Sequence, residues 1–278
     1  MKAALAFIVI ATGMKFPEGP AWGPDGKLYF SSCNTPATLR VDDPDQQKWS
    51  VVREGGGNGL AFDPQGRLVI CDHKKRLVSR MEKDGSITVL AKSFNGTPIG
   101  QPNDVVIDAE GTVYFTDPDF KNKKGAVYRL TAKGALTQLD NQIPCTNGIA
   151  LRDGGRILLV ASTHEKCVYE LTLDDSGKPT NKRKFVDLTG EGDVGPDGMC
   201  IDEKGNLYVA VYGGGRVVIV VPTGKIVHRI DTDGKNPTNC CFGGKDGKTL
   251  FVTETVKNRV LAYKRDVAGQ PLPVRVGK

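Results

Sequence analysis

One phrase recurs six times along the chain and constrains its fold more than any other feature. Each copy has a polar residue, two or three apolar or small residues, a glycine-containing turn and an alternating apolar run. Aligned on the apolar residue four places after the opening one, successive copies lie 40, 45, 44, 50 and 41 residues apart. The aligned residues are Trp22, Phe62, Ile107, Leu151, Ile201 and Phe242. A repeat of about 45 residues built from short alternating runs is typical of propeller blades.

The second copy predicts how one blade is built. Glycine-containing turns separate four strand-like runs, at residues 58–62, 67–71, 76–80 and 86–90,. Six such units predict an all-β fold, a six-bladed β-propeller with four antiparallel strands per blade, as a single domain over residues 1–278.

The last copy has only three clear runs, at residues 238–242, 249–253 and 259–263. We expect residues 7–11 to supply the fourth strand, which would close the ring and cover its last free edge. The alternative is a secretory signal, since Lys2 precedes nine small or apolar residues and Ala11-Thr12-Gly13 resembles a cleavage site,. No other segment is long and apolar enough to span a bilayer.

Composition narrows the class of protein and its compartment. With 39% hydrophobic residues in 278, disorder, collagen and a disulfide miniprotein are excluded,. The net charge of +6 is scattered rather than clustered, which argues against nucleic acid as a partner,. The seven cysteines are odd in number and lack C-x-x-C spacing, which favours reduced thiols in a cytoplasmic protein over a secreted or periplasmic one,.

The residue that opens each phrase is the candidate functional feature. The first strand of a propeller blade lines the central channel, so equivalent starting positions converge on one mouth of that channel. Each position alone is explained by the preference of such residues for turns before strands. Together they predict a ring of six oxygen-bearing side chains: Glu18, Asn58, Asn103, Asn147, Asp197 and Thr238.

Two carboxylates with several amide oxygens predict a site for a hard divalent cation. Burying two carboxylates without a counter-charge is unfavourable, whereas a doubly charged ion neutralises both. Calcium prefers oxygen ligands, while zinc would require His or Cys, which the ring lacks. We therefore expect Ca²⁺, with Mg²⁺ or another divalent ion as the alternative.

Four phrases resemble the senescence-marker-protein/gluconolactonase/luciferin-regenerating-enzyme family: FPEGPAW at residues 16–22, PNDVV at 102–106, TNGIA at 146–150 and PDGM at 196–199. The resemblance runs from about residue 7 to residue 263. It implies a six-bladed propeller that hydrolyses a small-molecule lactone with one catalytic Ca²⁺ or other divalent ion. The implied ligands are Glu18, Asn103, Asn147 and Asp197, and Asp197 is the implied general acid and base.

Further site residues follow from a similarity of blades two and three to bacterial gluconolactonases, through CDH at residues 71–73 and YFTDP at 114–118. The second strand of each blade returns to the mouth, so His73 and Asp117 should lie on its rim and contact substrate. The alternatives are a solvent-exposed turn histidine and a turn-capping aspartate. Asn58 and Asn103 are expected to contact substrate from the ring. Gln101 stands where animal sugar lactonases commonly carry arginine, which leaves specificity for aldonolactones open.

The predicted mechanism is hydrolysis of a cyclic ester, with Asp197 moving the proton and His73 as the alternative base. No G-x-S-x-G elbow supports a serine nucleophile,. Two other functions stay open. The first is a non-catalytic propeller that binds a ligand or protein, which would not need acids in its ring. The second is organophosphate hydrolysis at the same metal.

Overall fold

The computed structural model describes residues 6–271. Its sheets are six four-stranded antiparallel units and one two-stranded hairpin. The described residues contain one helical element, a 3-10 helix at Asp153–Gly155. The first strand of each blade contacts the first strands of the two neighbouring blades around a closed circle. The predicted six-bladed β-propeller is confirmed.

The strands of each blade follow in chain order from the channel outward. Blade one consists of Pro17–Trp22, Leu28–Ser32, Ala37–Asp43 and Lys48–Glu54. Blade two consists of Leu60–Phe62, Leu68–Asp72, Leu77–Met81 and Ile87–Ala91, followed by the hairpin Ser93–Phe94 and Thr97–Pro98. Blade three consists of Val105–Ile107, Val113–Asp119, Lys124–Leu130 and Leu136–Asp140. Blade four consists of Thr146–Arg152, Ile157–Ser162, Cys167–Leu173 and Pro179–Asp187. Blade five consists of Gly195–Ile201, Leu207–Tyr212, Arg216–Val220 and Ile226–Asp231.

Blade six is closed by the N-terminal strand, as predicted. Pro237–Gly243, Thr249–Glu254 and Arg259–Lys264 form its inner three strands, and Phe7–Thr12 pairs antiparallel with the third. The register sets Phe7 opposite Tyr263 and Thr12 opposite Arg259. Lys2 and the first apolar residues of the alternative leader lie outside the described residues. The other part of that segment is a strand of the sheet.

The hydrophobic core is divided among the interfaces between blades. Because each blade buries both faces against its neighbours, its inner strands read as nearly continuous apolar runs. Six clusters of buried side chains result, one at each of the six interfaces. The cluster between blades six and one includes Ile10 and Ala11, so the closing strand contributes core as well as hydrogen bonds.

A C-terminal segment crosses the face opposite the mouth. The amide of Gln270 donates to the carbonyl of Ile201 at 2.9 Å, and that of Gly269 donates to Gly247 at 3.0 Å. Gln270 therefore lies at the far end of the channel. Residues 6–271 contain no helix with the length and hydropathy that a membrane span requires.

Candidate active site

Irregular strand pairing aims the ring residues into the channel. In blades one, four, five and six, the ladder between the first two strands shifts register at the ring position. In blades two and three the first strand begins only two residues after the ring residue, at Leu60 and Val105. A break in the ladder turns a side chain away from the alternation of the strand, so residues that would otherwise lie between blades face the central axis.

Hydroxyl groups in the second strands, or just after them, hold the ring backbone of the next blade. Ser31 Oγ donates to the carbonyl of Asn58 at 2.8 Å, and Thr116 Oγ1 donates to that of Asn147 at 2.7 Å. Thr163 Oγ1 donates to the carbonyl of Pro196, beside Asp197, at 2.8 Å. These contacts, buried at Thr116 and part-buried at Ser31 and Thr163, fix the ring residues relative to one another, which is what a preorganised site requires,.

Glycine follows four of the six ring residues and makes room for the next blade. A Cβ on Gly148 would lie 2.2 Å from the carbonyl oxygen of Asp197, and one on Gly19 would lie 2.0 Å from that of Asn58. At such distances no side chain fits. In blades three and six the corresponding positions hold Asp104 and Asn239 instead, and both side chains are buried in the channel.

Asp104 and Asn239 are site residues that the sequence prediction missed. Asn239 Nδ2 donates to Asp104 Oδ1 at 3.4 Å, and the amide of Ile149 donates to Asp104 Oδ2 at 3.2 Å. The sequence does distinguish these two positions, because they lack the glycine that follows the ring residue in the other four blades. The phrase reads Asn-Asp in blade three and Thr-Asn in blade six. Asn239 also contacts Glu18 closely enough to oppose the upward shift of its pKa, which is dominated by burial.

The predicted ring residues take three different positions. Glu18, Asn147 and Asp197 are buried, whereas Asn58 and Asn103 are half-buried at the mouth. Thr238 was expected in the ring, but its hydroxyl donates to the carbonyl of Pro17 at 2.8 Å and contacts Thr253. It therefore joins blades six and one, because the register shift in its strand turns Asn239 toward the channel in its place.

The buried carboxylates lack a cationic partner in the described part of the chain. No salt bridge to Glu18, Asp104 or Asp197 forms within residues 6–271. Burial raises the pKa of Glu18 to about 8, with a smaller contribution from the Asp104 charge. Burial also raises the pKa of Asp104 to about 6. Burial, followed by Glu18 and Asp104, holds the pKa of Asp197 well above its ordinary value. Three acids in one apolar enclosure favour either bound protons or a bound cation.

An unsatisfied amide oxygen lies beside these acids. Asn147 Nδ2 donates to Thr163 Oγ1 at 3.1 Å, which fixes the orientation of the amide. Its Oδ1 is buried and has no hydrogen-bond partner among the described residues. A buried acceptor without a donor is unfavourable unless a ligand satisfies it, and a divalent cation would do so. The residues therefore fit such an ion. No group of three or more His, Cys, Asp or Glu side chains in the described part of the chain is arranged to hold a metal, so the amide oxygen is needed.

The predicted rim residues are anchored to the loops that carry the ring. His73 Nδ1 lies 3.2 Å from the carbonyl of Gly57, and burial, then Lys74, lowers the pKa of its imidazole. Asp117 Oδ2 accepts from the amide of Gly100 at 2.8 Å and Oδ1 accepts from that of Gln101 at 2.5 Å. Both oxygens of Asp117 thus hold the loop before Asn103. Gln101 itself is exposed at the mouth.

On the side of the ring away from the mouth, the channel contains a cavity of about 530 Å³. Its lining begins at Asp104 and Asn239, continues past apolar residues and Cys200, Cys240 and Cys241, and ends at Gln270. Asp104 and Asn239 therefore separate the mouth from this cavity. All seven cysteines are unpaired thiols, as predicted.

Comparisons with known proteins agree with this architecture. Residues 16–256 match the model of the SMP-30/gluconolactonase/LRE-like region. A gluconolactonase of Zymomonas mobilis is 29% identical, with 88% of this chain and 78% of that protein covered. The diisopropyl-fluorophosphatase of Loligo vulgaris is 28% identical, with 89% and 88% covered. The crystal structure of the calcium-binding protein regucalcin from Agrobacterium tumefaciens superposes with a TM-score of 0.85 at 23% identity, over 98% of this chain and 97% of that one. With the family match spanning most of the propeller, the chain belongs to the SMP-30/gluconolactonase/LRE-like family.

Proposed function

We propose that the protein is a lactonase or a related hydrolase whose substrate is a small lactone. It works with a divalent cation, for which Ca²⁺ is the first candidate and Mg²⁺ the alternative. The observation that carries the proposal is the Oδ1 of Asn147, unsatisfied among the described residues, beside two buried carboxylates that have no cationic partner within residues 6–271. The family relationship and the name of the Zymomonas relative support the choice of a lactone.

Glu18, Asn147 and Asp197 would hold the cation, with Asn103 as a fourth ligand at the half-buried edge of the ring. When bound, such an ion would neutralise the two acids and polarise the carbonyl of a cyclic ester. Asn58, Asn103, His73 and Gln101 are the substrate contacts that we propose on the mouth side. Asp117 would act on substrate through the Gly100–Gln101 loop that its carboxylate holds.

Asp197 is the proposed acid and base. Its carboxylate would take one proton from the attacking water as the oxygen adds to the lactone carbonyl carbon. The same proton would pass to the ring oxygen as the carbon–oxygen bond breaks, which leaves a hydroxy acid. His73 is the alternative base, because its lowered pKa keeps the imidazole neutral near pH 7.

The test uses the variant Asp197→Asn and measures its metal binding and its catalytic turnover separately. Calcium affinity by calorimetry and turnover of glucono-1,5-lactone would be measured on the same preparation, with Asn181→Asp on the exposed outer strand as the control. We expect turnover to fall by at least 10³-fold and affinity to fall less. Full turnover would exclude Asp197 and leave His73. No hydrolysis by the unaltered protein, and no change in its melting temperature with EDTA, would favour a non-catalytic binding propeller.

Organophosphate hydrolysis is the second candidate, because the squid relative that covers 89% of this chain is a diisopropyl-fluorophosphatase. The same acids would serve it, since both reactions develop negative charge on an oxygen of the substrate. A phosphotriester assayed beside the lactone separates the two activities.

We propose the cytoplasm as the compartment, which the seven unpaired thiols support,.

A further inference from the structure

Positive charge on the mouth face is concentrated over blades two and three. The loop after the second strand of blade two reads His73-Lys74-Lys75-Arg76, and that of blade three reads Phe120-Lys121-Asn122-Lys123. Both loops join second to third strands, so both lie at the end of the propeller where the ring opens. This is the same sector that holds His73, Gln101 and Asn103.

Three of the four residues in the blade two loop have partners within the protein. His73 contacts the carbonyl of Gly57, and Lys75 forms an ion pair with the buried carboxylate of Asp72 at 3.9 Å. Arg76 Nε donates to the carbonyl of Gly100 at 2.9 Å. Lys74 is exposed and forms no ion pair with any residue in the range 6–271.

The blade three loop adds two more uncompensated ammonium groups. Lys121 and Lys123 are exposed and likewise form no ion pair with a described residue. Asp119, the acid nearest to them in the chain, accepts from the side chain and the backbone of Asn122 at 2.7 and 3.0 Å. We call Lys74, Lys121 and Lys123 the basic sector.

Two lysines on the opposite half of the mouth are balanced by acids. Lys235 pairs with Asp193 at 2.6 Å, and Lys257 pairs with Asp233 at 2.8 Å. The uncompensated lysines are therefore more numerous over blades two and three than on the other half, where Lys15 is exposed and lacks an ion pair with a described residue. Exposed charges of one sign at a cleft attract ligands of the other sign and raise their association rate.

The charge of the Lys74 ammonium acts on a buried thiol near the ring. The Cys33 thiol donates to the carbonyl of Gly57, next to Asn58, and is buried. Burial, then Glu18 and Asp197, raises the pKa of Cys33, and the Lys74 ammonium opposes that shift. The ammonium thus acts on a group that the ring carboxylates also influence.

We infer that the preferred lactone carries an anionic substituent, a phosphate or a carboxylate remote from the ester. Lys74 binds this anionic group, and Lys121 and Lys123 add to the positive potential that attracts it. This inference rests on the proposed lactonase function and adds the substrate class. A substituent without charge would leave the three ammonium groups to water alone.

The experiment compares kcat/KM for neutral glucono-1,5-lactone, 6-phosphogluconolactone and a monolactone of glucaric acid, in 20 mM and 500 mM NaCl. We expect at least one anionic lactone to exceed the neutral one by about tenfold at low salt, and high salt to shrink that ratio. Whichever anion is preferred identifies the substituent as phosphate or carboxylate. In Lys74→Gln the ratio should fall several-fold while kcat/KM for the neutral lactone stays constant. Lys133→Gln, an exposed lysine on the opposite face, is the matched control.

The triple variant Lys74→Gln/Lys121→Gln/Lys123→Gln guards against compensation within the basic sector. An equal or lower kcat/KM for both anionic lactones in the unaltered protein overturns the inference and leaves the lactonase intact. An anionic preference that survives the triple variant also overturns the assignment to these lysines. If the protein hydrolyses none of the three lactones, the proposed function is rejected, and the inference with it.

Discussion

The amide of Asn239 donates to the carboxylate of Asp104 at 3.4 Å, and this contact spans the channel from blade six to blade three. These blades lie opposite each other in the ring. Asn239→Leu would remove the donor and leave Asp104 buried with one fewer partner. We expect a loss of about 1–3 kcal/mol in the free energy of unfolding and weaker calcium binding. Urea unfolding and calorimetry measure both effects. Asn181→Leu on the exposed outer strand is the control, and equal behaviour of the two variants would contradict a role for the contact.

The metal-free protein should lose stability as the pH rises. Burial raises the pKa of Glu18 from its ordinary 4.5 to about 8, so between those values the unfolded chain has released a proton that the folded chain retains. Folding is therefore less favourable at pH 8 than at pH 5. Melting curves in EDTA across this range test the sign, and added calcium should restore stability most at the upper end. Glu18→Gln should make the EDTA profile less steep, and Asp104 and Asp197, whose pKa values burial also raises, should account for the slope that is left. A metal-free protein that is as stable at pH 8 as at pH 5 would refute the account.

Gly148→Ala should destabilise the ring severely. The added Cβ would meet the Asp197 carbonyl oxygen at 2.2 Å and Gly198 Cα at 2.9 Å, so backbone atoms of one blade or the other would have to shift. We expect a loss of about 3 kcal/mol or more in the free energy of unfolding, at the upper end of overpacking effects. Gly85→Ala is the matched control, since nothing lies within 4 Å of its Cβ and only its positive φ of 83° is unfavourable. Its loss should be about 1–2 kcal/mol. Similar losses for both would show that inter-blade packing is not the cause.

The closing strand offers a paired test of its own. Ile10 is buried in the interface between blades six and one, whereas Ile8 on the same strand is 66% exposed. Ile10→Asp should lower the free energy of unfolding by several kcal/mol, because a carboxylate would be buried without a partner, and Ile8→Asp should change little. Thermal melting followed by circular dichroism distinguishes them. If both variants melt together, the strand does not seal the ring.

The repeat was sufficient to predict the architecture, since the spacing of six phrases fixes both the number of blades and the need for a closing strand. It also predicted that Glu18, Asn147 and Asp197 share one enclosure, because equivalent positions in a ring converge. Asp104 and Asn239 could not be predicted from the opening residue of each phrase, because they occupy the position after it. That second position carries glycine wherever blades approach closely, so its two exceptions were informative.

Loop contacts could not be predicted. Arg76 turns its guanidinium onto the carbonyls of Ile99 and Gly100, and Asp117 binds the same loop from below. Neither contact has a periodicity or motif that announces it, because both depend on how the segment before Asn103 packs over the neighbouring blade. Thr238 is similar, since a register shift of its strand decides which of two adjacent side chains faces the channel.

The pairing of Phe7 with Tyr263 has a consequence for biosynthesis. A ribosome releases the N-terminal strand first, and that strand has no partner until nearly the whole chain has emerged. Blades one to five can assemble from contacts within and between neighbours, but the ring remains an open arc and Phe7–Thr12 stays unpaired until residues 259–264 are available,. The closing strand thus stays unpaired through the synthesis of five blades, and an unpaired strand is a template for edge-to-edge aggregation.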